Sequence, residues 1–352
     1  MINLKFWKNK KILITGHTGF KGRWLTILLK LVGSKVYGIS LKENGSSKFK
    51  EYINFLDKKN SYLLDIKKRK DIEKIILKIN PEIIIHMAAQ SKVIDGFIYP
   101  VKTFETNILG TINILNASIK LINLKTVLIV SSDKVYENIK YKKVFSENDK
   151  LGGDDPYSAS KAAAEILLNY YRKFYPKIKI ISVRAGNIIG GGDWTSNRIV
   201  PDAIKAWHSK KVLIVRNPKS TRPWQYIIDV LLSYLKIIEK SYYFKRMPLV
   251  FNIGPMSSSN NLTVLKLITK LKYHFTNLKL RIKNENKNLE KKHIYLNTRR
   301  SIKFLKTKNN IKIEERIKRT VNIYKKLIKN NNIQKIYEEE ILNFLSKIYA
   351  KN

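Results

Sequence analysis

The chain is predicted to be an α/β protein, a Rossmann-type doubly wound parallel sheet with a smaller mixed α/β substrate domain. Three observations predict it. Short apolar runs alternate with helical patterns through the first half, the rhythm of parallel strands joined by crossover helices. The first run enters a glycine-rich turn, KILITGHTGFKG at 11–22, with Gly16, Gly19 and Gly22 at three-residue steps. Later, YSASK at 157–161 sets a tyrosine and a lysine at i and i+4 of a predicted helix, hence on one face.

The elements follow in order. Lys11–Thr15 reads as a buried strand, Lys21–Val32 as a helix and Lys35–Ser40 as the second strand. Tyr62–Asp65 is a short third strand, Lys70–Ile79 a helix and Glu82–His86 a fourth strand. A single long helix is expected over Pro100–Leu121, then a strand at Val127–Ser131, a helix at Tyr157–Tyr175 and a strand at Lys179–Arg184. Each crossover should be right-handed. Asp149–Asp155 (DKLGGDD) reads as a flexible active-site loop.

After Arg184 the rhythm stops at the glycine-rich GNIIGGGDW. Val250–Ile253, closed by Gly254-Pro255, reads as a strand returning to the sheet. The expected division is a dinucleotide-binding domain from 1–186 and 226–256, and a substrate domain from 187–225 and 257–352. Ile333–Tyr349 reads as an amphipathic helix for packing or an interface.

Composition bounds the rest. At 352 residues and 44% hydrophobic, the chain can bury a substantial core. It has no cysteine, so disulfides and thiolate metal sites are excluded, and no metal is expected. The first residues show no secretory pattern, and no stretch approaches the ~18 apolar residues of a membrane span. A soluble cytoplasmic protein with no membrane partner is expected. The net charge is +42, but the lysines are spread along the chain and no helix-turn-helix or zinc pattern accompanies them. The excess is read as compositional: it favours a phosphate-bearing substrate and cofactor, with no nucleic acid as partner.

The glycine turn predicts a dinucleotide site, because it follows a strand and opens a helix. Gly16 permits the tight turn, Gly19 lets the backbone approach the pyrophosphate, and Gly22 lets helix and strand pack closely; Thr18 and Phe20 lie in the same turn. The helix N-terminus then faces phosphate. NAD is the expected cofactor. The carboxylate that would bind the adenosine ribose should close the second strand, but that strand ends Gly38-Ile39-Ser40-Leu41. Glu43 comes late, and Lys21, Arg23 and Lys42 are near, so NADP stays open. Asp65-Ile66 suits an adenine contact. Ala88 and Ala89 offer small side chains beside the cofactor, and Gln90 would face the substrate.

Tyr157 and Lys161 form the expected catalytic pair: the cation favours the phenolate, which takes a proton from a sugar hydroxyl as hydride leaves the same carbon. The ammonium would also hold the nicotinamide ribose. Ser132, Asp133 and Lys134 stand at the end of the fifth strand, where open α/β sheets line the ligand crevice. Oxidation or epimerisation needs only the hydroxyl there; the added acid and potential base suggest elimination. Asn187 is a candidate for substrate oxygens, and Arg198 and Arg222 for the diphosphate.

TGHTGFKGRWL (15–25), HMAAQ (86–90), TNILGTINIL (106–115), SSDKVYEN (131–138), ENDKLGGDDPYSASKAAAE (147–165), RAGNIIGGGDW (184–194) and TRPWQYI (221–227) resemble the extended short-chain dehydrogenase/reductase family. Within it they resemble the branch of sugar-nucleotide 4,6-dehydratases that acts on CDP-glucose. Dehydratases for dTDP-glucose generally carry Asp-Glu at the place of Asp133-Lys134. The resemblance implies oxidation of glucose at C4 with Tyr157 as base, removal of the C5 proton by Lys134, protonation of the departing C6 hydroxyl by Asp133, and return of hydride to C6. The product would be CDP-4-keto-6-deoxyglucose, a precursor of bacterial surface deoxysugars. The resemblance also implies a homodimer through a four-helix interface of Thr103–Ser118 and Tyr157–Tyr175. The chain departs from the family at Ser132, usually threonine, and at Asn297, usually aspartate. An epimerase, a dehydratase for another nucleotide-glucose, and a catalytically idle basic binding protein remain the alternatives.

Overall fold

The computed structural model describes residues 2–42, 54–137, 143–255, 261–283, 295–306, 311–329 and 332–349. Its centre is a seven-stranded sheet of β1 (Lys11–Thr15), β2 (Lys35–Ser40), β3 (Ser61–Leu63), β4 (Ile83–His86), β5 (Thr126–Val130), β6 (Lys179–Ala185) and β7 (Val250–Ile253), in the spatial order β7-β6-β5-β4-β1-β2-β3. The pairs β1–β2, β2–β3, β1–β4, β4–β5 and β5–β6 are parallel, as the alternation of runs and helices predicts. Ile12–Ile14, Ile83–Ile85 and Val127–Leu128 are almost wholly buried, because strands covered on both faces need unbroken apolar runs rather than alternation.

Strand order reverses between β1 and β4. Ligands of open α/β sheets lie beyond the carboxyl ends of the strands at such a point. Thr15 and His86 are register partners there, directly before the glycine turn and Ala88.

The expected helix over Pro100–Leu121 is corrected to three pieces: Pro100–Phe104, a π turn at Glu105–Leu109, and Gly110–Ser118. A π turn inserts one residue into the helical repeat and here places Asn107 in the interior, 2% exposed. Gly110 is required just after it, since a Cβ there would collide with the Ile66 side chain. The patterns also missed a helix at Val93–Ile98 and a turn at Leu4–Trp7. That turn is capped by Asn3 and tied down by Trp7 Nε1, which donates to Glu239 Oε1 at 2.5 Å.

The chain divides into two compact units: described residues within 1–138, 147–185 and 231–252, and those within 139–146, 186–230 and 253–352. The second is built from short pairings. Ile188–Ile189 runs parallel to Gln225–Tyr226, Thr221–Pro223 antiparallel to Asn261–Thr263, and Val144–Phe145 parallel to Tyr295–Leu296. Leu213–Val215 also pairs with Leu280–Ile282, and helices Ile199–His208, Val264–Lys272, Arg299–Leu305, Ile313–Lys329 and Ile333–Tyr349 belong to the same unit. Among the described residues, no helix is long and apolar enough to cross a membrane.

Candidate active site

The glycine turn is built as its residues demand. Gly16 has φ +78°, a conformation that glycine adopts at little cost. A Cβ on it would lie 2.9 Å from the Ala88 amide nitrogen, so the turn and the loop after β4 approach as bare backbone. Gly22 faces the Gly16 carbonyl, again with no room for a Cβ. Gly19 is the N-cap of the helix Phe20–Leu31 and brings no capping side chain to it. Thr18 is buried and its N–H donates to Ser40 Oγ at 3.2 Å. This backbone-lined cradle at a helix N-terminus fits a pyrophosphate. Phe20, half-buried, opens the helix.

Near the adenosine end the picture is mixed. Ser40 spends its hydroxyl on the turn, Arg23 is only 4% exposed, and Glu43 lies outside the described residues. Asp65 Oδ1 accepts from Lys67 N at 2.9 Å, capping its own loop. Asn113 holds the Ile66 carbonyl, and the Ile66 side chain packs over Gly110. Gly38 in β2 leaves space for the His17 ring, whose Nε2 meets Ser61 Oγ at 2.9 Å; burial lowers this histidine to about 4.

The two prospective catalytic groups sit on separate supports. Helix Pro156–Phe174 begins with Asp155, whose carboxylate accepts from Ser158 N at 2.9 Å and from the Ser158 hydroxyl at 2.5 Å; this cap orients Tyr157 in the first turn. Gly96 permits the close approach of its segment, since a Cβ there would lie 3.2 Å from Tyr157 N. One turn on, Lys161 is buried, and its Nζ donates to the Val130 carbonyl at 3.1 Å. Burial lowers its ammonium to about 8, opposed in part by Glu165. Val130 ends β5, so this bond ties the helix to the strand that delivers Ser132. Ser132 and Asp133 are each 5% exposed; the Ser132 oxygen accepts from Lys134 N at 3.2 Å and its hydroxyl reaches Asp133 Oδ1 at 3.3 Å. A short 3-10 turn, Asp133–Val135, therefore starts at the serine.

The Asp149–Asp155 stretch was expected to be a loose loop; the structure ties it down. Gly152 N donates to Val135 O at 2.8 Å and Glu137 N to Lys150 O at 3.0 Å. A Cβ at Gly152 would lie 2.8 Å from Glu137 Cα, and one at Gly153 would collide with the backbone of Ala159. The glycines serve close packing here rather than mobility.

Gln90 is held inward. Its amide nitrogen donates to the Lys92 carbonyl and the Thr103 hydroxyl, each at 2.9 Å, and its oxygen accepts from Lys92 N at 2.5 Å. It braces the loop after β4, with both of its amide protons engaged. Sequence patterns also missed a buried chain beneath the site. The Thr15 hydroxyl meets His86 Nδ1 at 2.7 Å, His86 Nε2 meets Thr111 Oγ1 at 3.1 Å, and Thr111 donates to the Asn107 carbonyl at 2.7 Å. Asn107 Nδ2 donates to Ser160 Oγ at 2.8 Å, and Ser160 to the Tyr157 carbonyl at 2.7 Å.

In the second unit, the pairing of Ile188–Ile189 with Gln225–Tyr226 brings the chain beside Asn187 to the TRPWQY segment; Gln225 N donates to Asn187 O at 2.9 Å. Arg222 is 3% exposed, with Nη1 on the Thr221 carbonyl at 3.0 Å. Arg198 is 39% exposed and pairs with Asp193 at 3.0 Å. The GGGDW glycines let the C-terminal helices approach: a Cβ on Gly191 would collide with Ile323 and one on Gly192 with Tyr337, and Tyr324 donates to the Asp193 carbonyl at 2.5 Å. Asn297 Oδ1 accepts from Arg299 N at 3.1 Å, a task aspartate performs equally well.

Comparison with known proteins follows the same outline. The model of the NAD dependent epimerase/dehydratase family matches residues 12–254. The CDP-glucose 4,6-dehydratase of Salmonella typhimurium is 37% identical over 250 residues, covering 69% of this chain and 70% of that enzyme. The dTDP-D-glucose 4,6-dehydratase of Dictyostelium discoideum is 33% identical over 281 residues, 74% of this chain and 62% of its own length. The solved dTDP-glucose 4,6-dehydratase of Bacillus anthracis, in complex with NAD, superposes with a TM-score of 0.74 at 21% identity, over 90% of this chain and 97% of that one; this last likeness is one of fold.

Proposed function

The chain belongs to the NAD-dependent epimerase/dehydratase family, and we propose that it is a hydro-lyase converting CDP-glucose to CDP-4-keto-6-deoxyglucose with NAD as cofactor. The observation that carries this reading is a buried Ser132-Asp133 step at the end of β5, followed by Lys134 and tied through the Val130 carbonyl to Lys161. An epimerase needs no acid and base beside that serine. The 37% identity to a CDP-glucose enzyme supports the choice of nucleotide.

The cofactor, when bound, supplies a reversible store for the hydride that leaves C4 of the sugar and re-enters at C6. The backbone of Gly16–Gly22 would hold its pyrophosphate, Ala88 and Ala89 would leave it room, and Asp65-Ile66 would serve the adenine. Tyr157 accepts the proton of the 4-hydroxyl while Ser132 holds that oxygen, and Lys161 stabilises the phenolate and holds the ribose. The 4-ketone acidifies the C5 proton, which Lys134 removes. Asp133 protonates the C6 hydroxyl as the C6–O bond breaks, and water leaves. Lys134 returns a proton to C5 as C6 is reduced, and the Tyr157 proton restores Asp133 through solvent. The balance is the loss of one water. Asn187, Arg198 and Arg222 of the second unit are assigned to the nucleotide-sugar. A cytoplasmic location and a role in bacterial surface deoxysugar biosynthesis belong to the same proposal.

We further assign a homodimer. Phe97 and Ile98 on Val93–Ile98, Tyr99 at the break after it, Val101 on Pro100–Phe104 and Leu109 in the π turn, together with Ile166, Tyr170 and Phe174 on Pro156–Phe174, are exposed at 42% to 69%. Isolated exposed apolar residues are ordinary, whereas a set this dense on adjacent helices favours an interface.

The test is incubation with NAD and CDP-, dTDP- or UDP-glucose, following the alkaline absorbance of a 4-keto sugar and the mass loss of water. Product with CDP-glucose alone is expected. Epimerised sugar with its C6 hydroxyl retained, or no product from any of the three, overturns the reading.

A further inference from the structure

The buried ion pair one turn beyond Lys161 ends in a tyrosine that the chemistry above leaves unused. Glu165 accepts from Arg184 Nε at 2.9 Å and from Nη2 at 2.6 Å. The same guanidinium donates from Nη1 to the Tyr136 hydroxyl at 2.9 Å and lies 4.8 Å over the Tyr136 ring. Arginine only donates, so Tyr136 accepts from it and must spend its single proton on Asn252 Oδ1, at 2.5 Å. Asn252 N in turn donates to Glu147 Oε1 at 3.0 Å. Tyr136, Arg184, Glu165 and Asn252 are each at most 3% exposed.

We propose that Tyr136 is a positioning residue whose hydroxyl, held between Arg184 and Asn252, fixes the Asp133–Lys134 turn for the elimination of water and has little part in oxidation at C4. The inference rests on the dehydratase reading.

The supports of the two half-reactions differ. Ser132 stands two residues beyond the end of β5, and Lys161 is anchored to the last carbonyl of that strand; sheet and helix hold the oxidation set. Asp133 and Lys134 lie in a three-residue 3-10 turn, too short to be rigid alone. Its far end is held by Tyr136. The backbone there forms an isolated bridge with Leu151, and the side chain is clamped by groups from β6 and β7. Burial pushes the Tyr136 phenol up to about 12, so the proton that the clamp requires stays in place over the working range of pH. Releasing the clamp lets the acid and base shift, and misplacement by about 1 Å costs on the order of a hundredfold in rate.

Tyr136→Phe tests this, because it keeps the ring over Arg184 and deletes only the hydroxyl. The holoenzyme is mixed with CDP-glucose in deuterated water and quenched with borodeuteride. Label at C4 with the C6 hydroxyl retained reports the ketone before elimination; label at C4 with a C6 methyl reports product. The expected result is a 4-ketone that forms at near wild-type rate and accumulates, product formation slowed at least about tenfold, and unchanged calorimetric affinity for CDP-glucose. Asn252→Leu removes the acceptor while leaving Tyr136 itself, and should give the same split. Melting temperatures are recorded for both, since a purely structural role lowers stability and slows both steps together. Equal slowing of both steps, or of neither, in either folded variant overturns the inference. Wild-type protein that forms neither ketone nor product indicts the dehydratase reading instead.

Discussion

The Thr15 hydroxyl and His86 Nδ1 lie 2.7 Å apart where strand order reverses, and that bond sets the proton order of everything beneath the site. Thr15 Oγ1 accepts from Met87 N and Ala88 N, both at 3.1 Å, so its own proton goes to Nδ1. His86 then carries its proton on Nε2 toward Thr111, and Thr111 donates to Asn107. This neutral chain braces the glycine turn, the Ala88 loop and the π turn together.

The ring must stay neutral for that order to hold. Burial, aided by the Lys161 charge, lowers His86 to about 3. The unfolded chain takes a proton near pH 6.5 that the folded one refuses, so stability falls as pH drops from that value toward 3. His17 adds a similar term ending at about 4. Urea unfolding of wild type and His86→Asn at pH 7 and pH 5 should show the variant less stable at pH 7 but with a shallower loss on acidification. An identical pH slope in both proteins would refute the assignment.

Lys161 carries the opposite sign of expectation for a catalytic residue. Its pKa is lowered from 10.5 to about 8 by burial, so holding it charged costs the folded state below that pH. Lys161→Met should therefore melt at or above the wild-type temperature at pH 7 while turnover falls by roughly 10²–10⁴. A variant that is both inactive and markedly less stable would mean that the bond to Val130 matters more than desolvation.

Glu165 and Arg184 are a buried pair, with side chains 2% and 4% exposed. Glu165→Ala leaves the guanidinium uncompensated and should cost about 3–5 kcal/mol in denaturant unfolding. The double variant Glu165→Leu/Arg184→Met should cost less than the sum of the two singles, because it removes both members of the pair instead of leaving one of them unpaired. Additive losses would show that the network is not coupled.

How much of this was legible in the sequence depends on the range of the interaction. β1, β2 and β7 agree with the apolar runs to the residue, since a buried strand between turn signals is a local pattern. The cradle was legible because Gly16 and Gly22 answer to atoms six residues apart or at the next strand end. The π turn was not: nothing local separates Glu105–Leu109 from an ordinary helix, and the partners that the turn gives Asn107, the Gln90 backbone and Ser160, are distant in sequence. The Asp149–Asp155 loop was misread for the same reason. Its glycines resemble flexibility in sequence, but they face Glu137 and Ala159 in space. Tyr136 and Arg184 gave no signal until β6 and β7 brought their partners together.

The two arginines proposed for the diphosphate should separate by environment. Arg198 is 39% exposed and already paired with Asp193, and such pairs contribute about 0–1 kcal/mol. Arg198→Ala should raise the KM for CDP-glucose by no more than about fivefold. Arg222 is 3% exposed and anchored at Nη1 to its own strand, so its guanidinium is already oriented before an anion arrives. Lysine at that place keeps the charge but loses the planar fork. If Arg222 contacts the diphosphate, loss of a charged hydrogen bond of about 1.5–3 kcal/mol should raise the KM of Arg222→Lys by roughly 10- to 100-fold with kcat little changed. Steady-state kinetics of both variants decide it: a larger effect at Arg198 than at Arg222 would reverse the assignment, and a fall in kcat alone at Arg222 would move that residue from holding the nucleotide to shaping the strand.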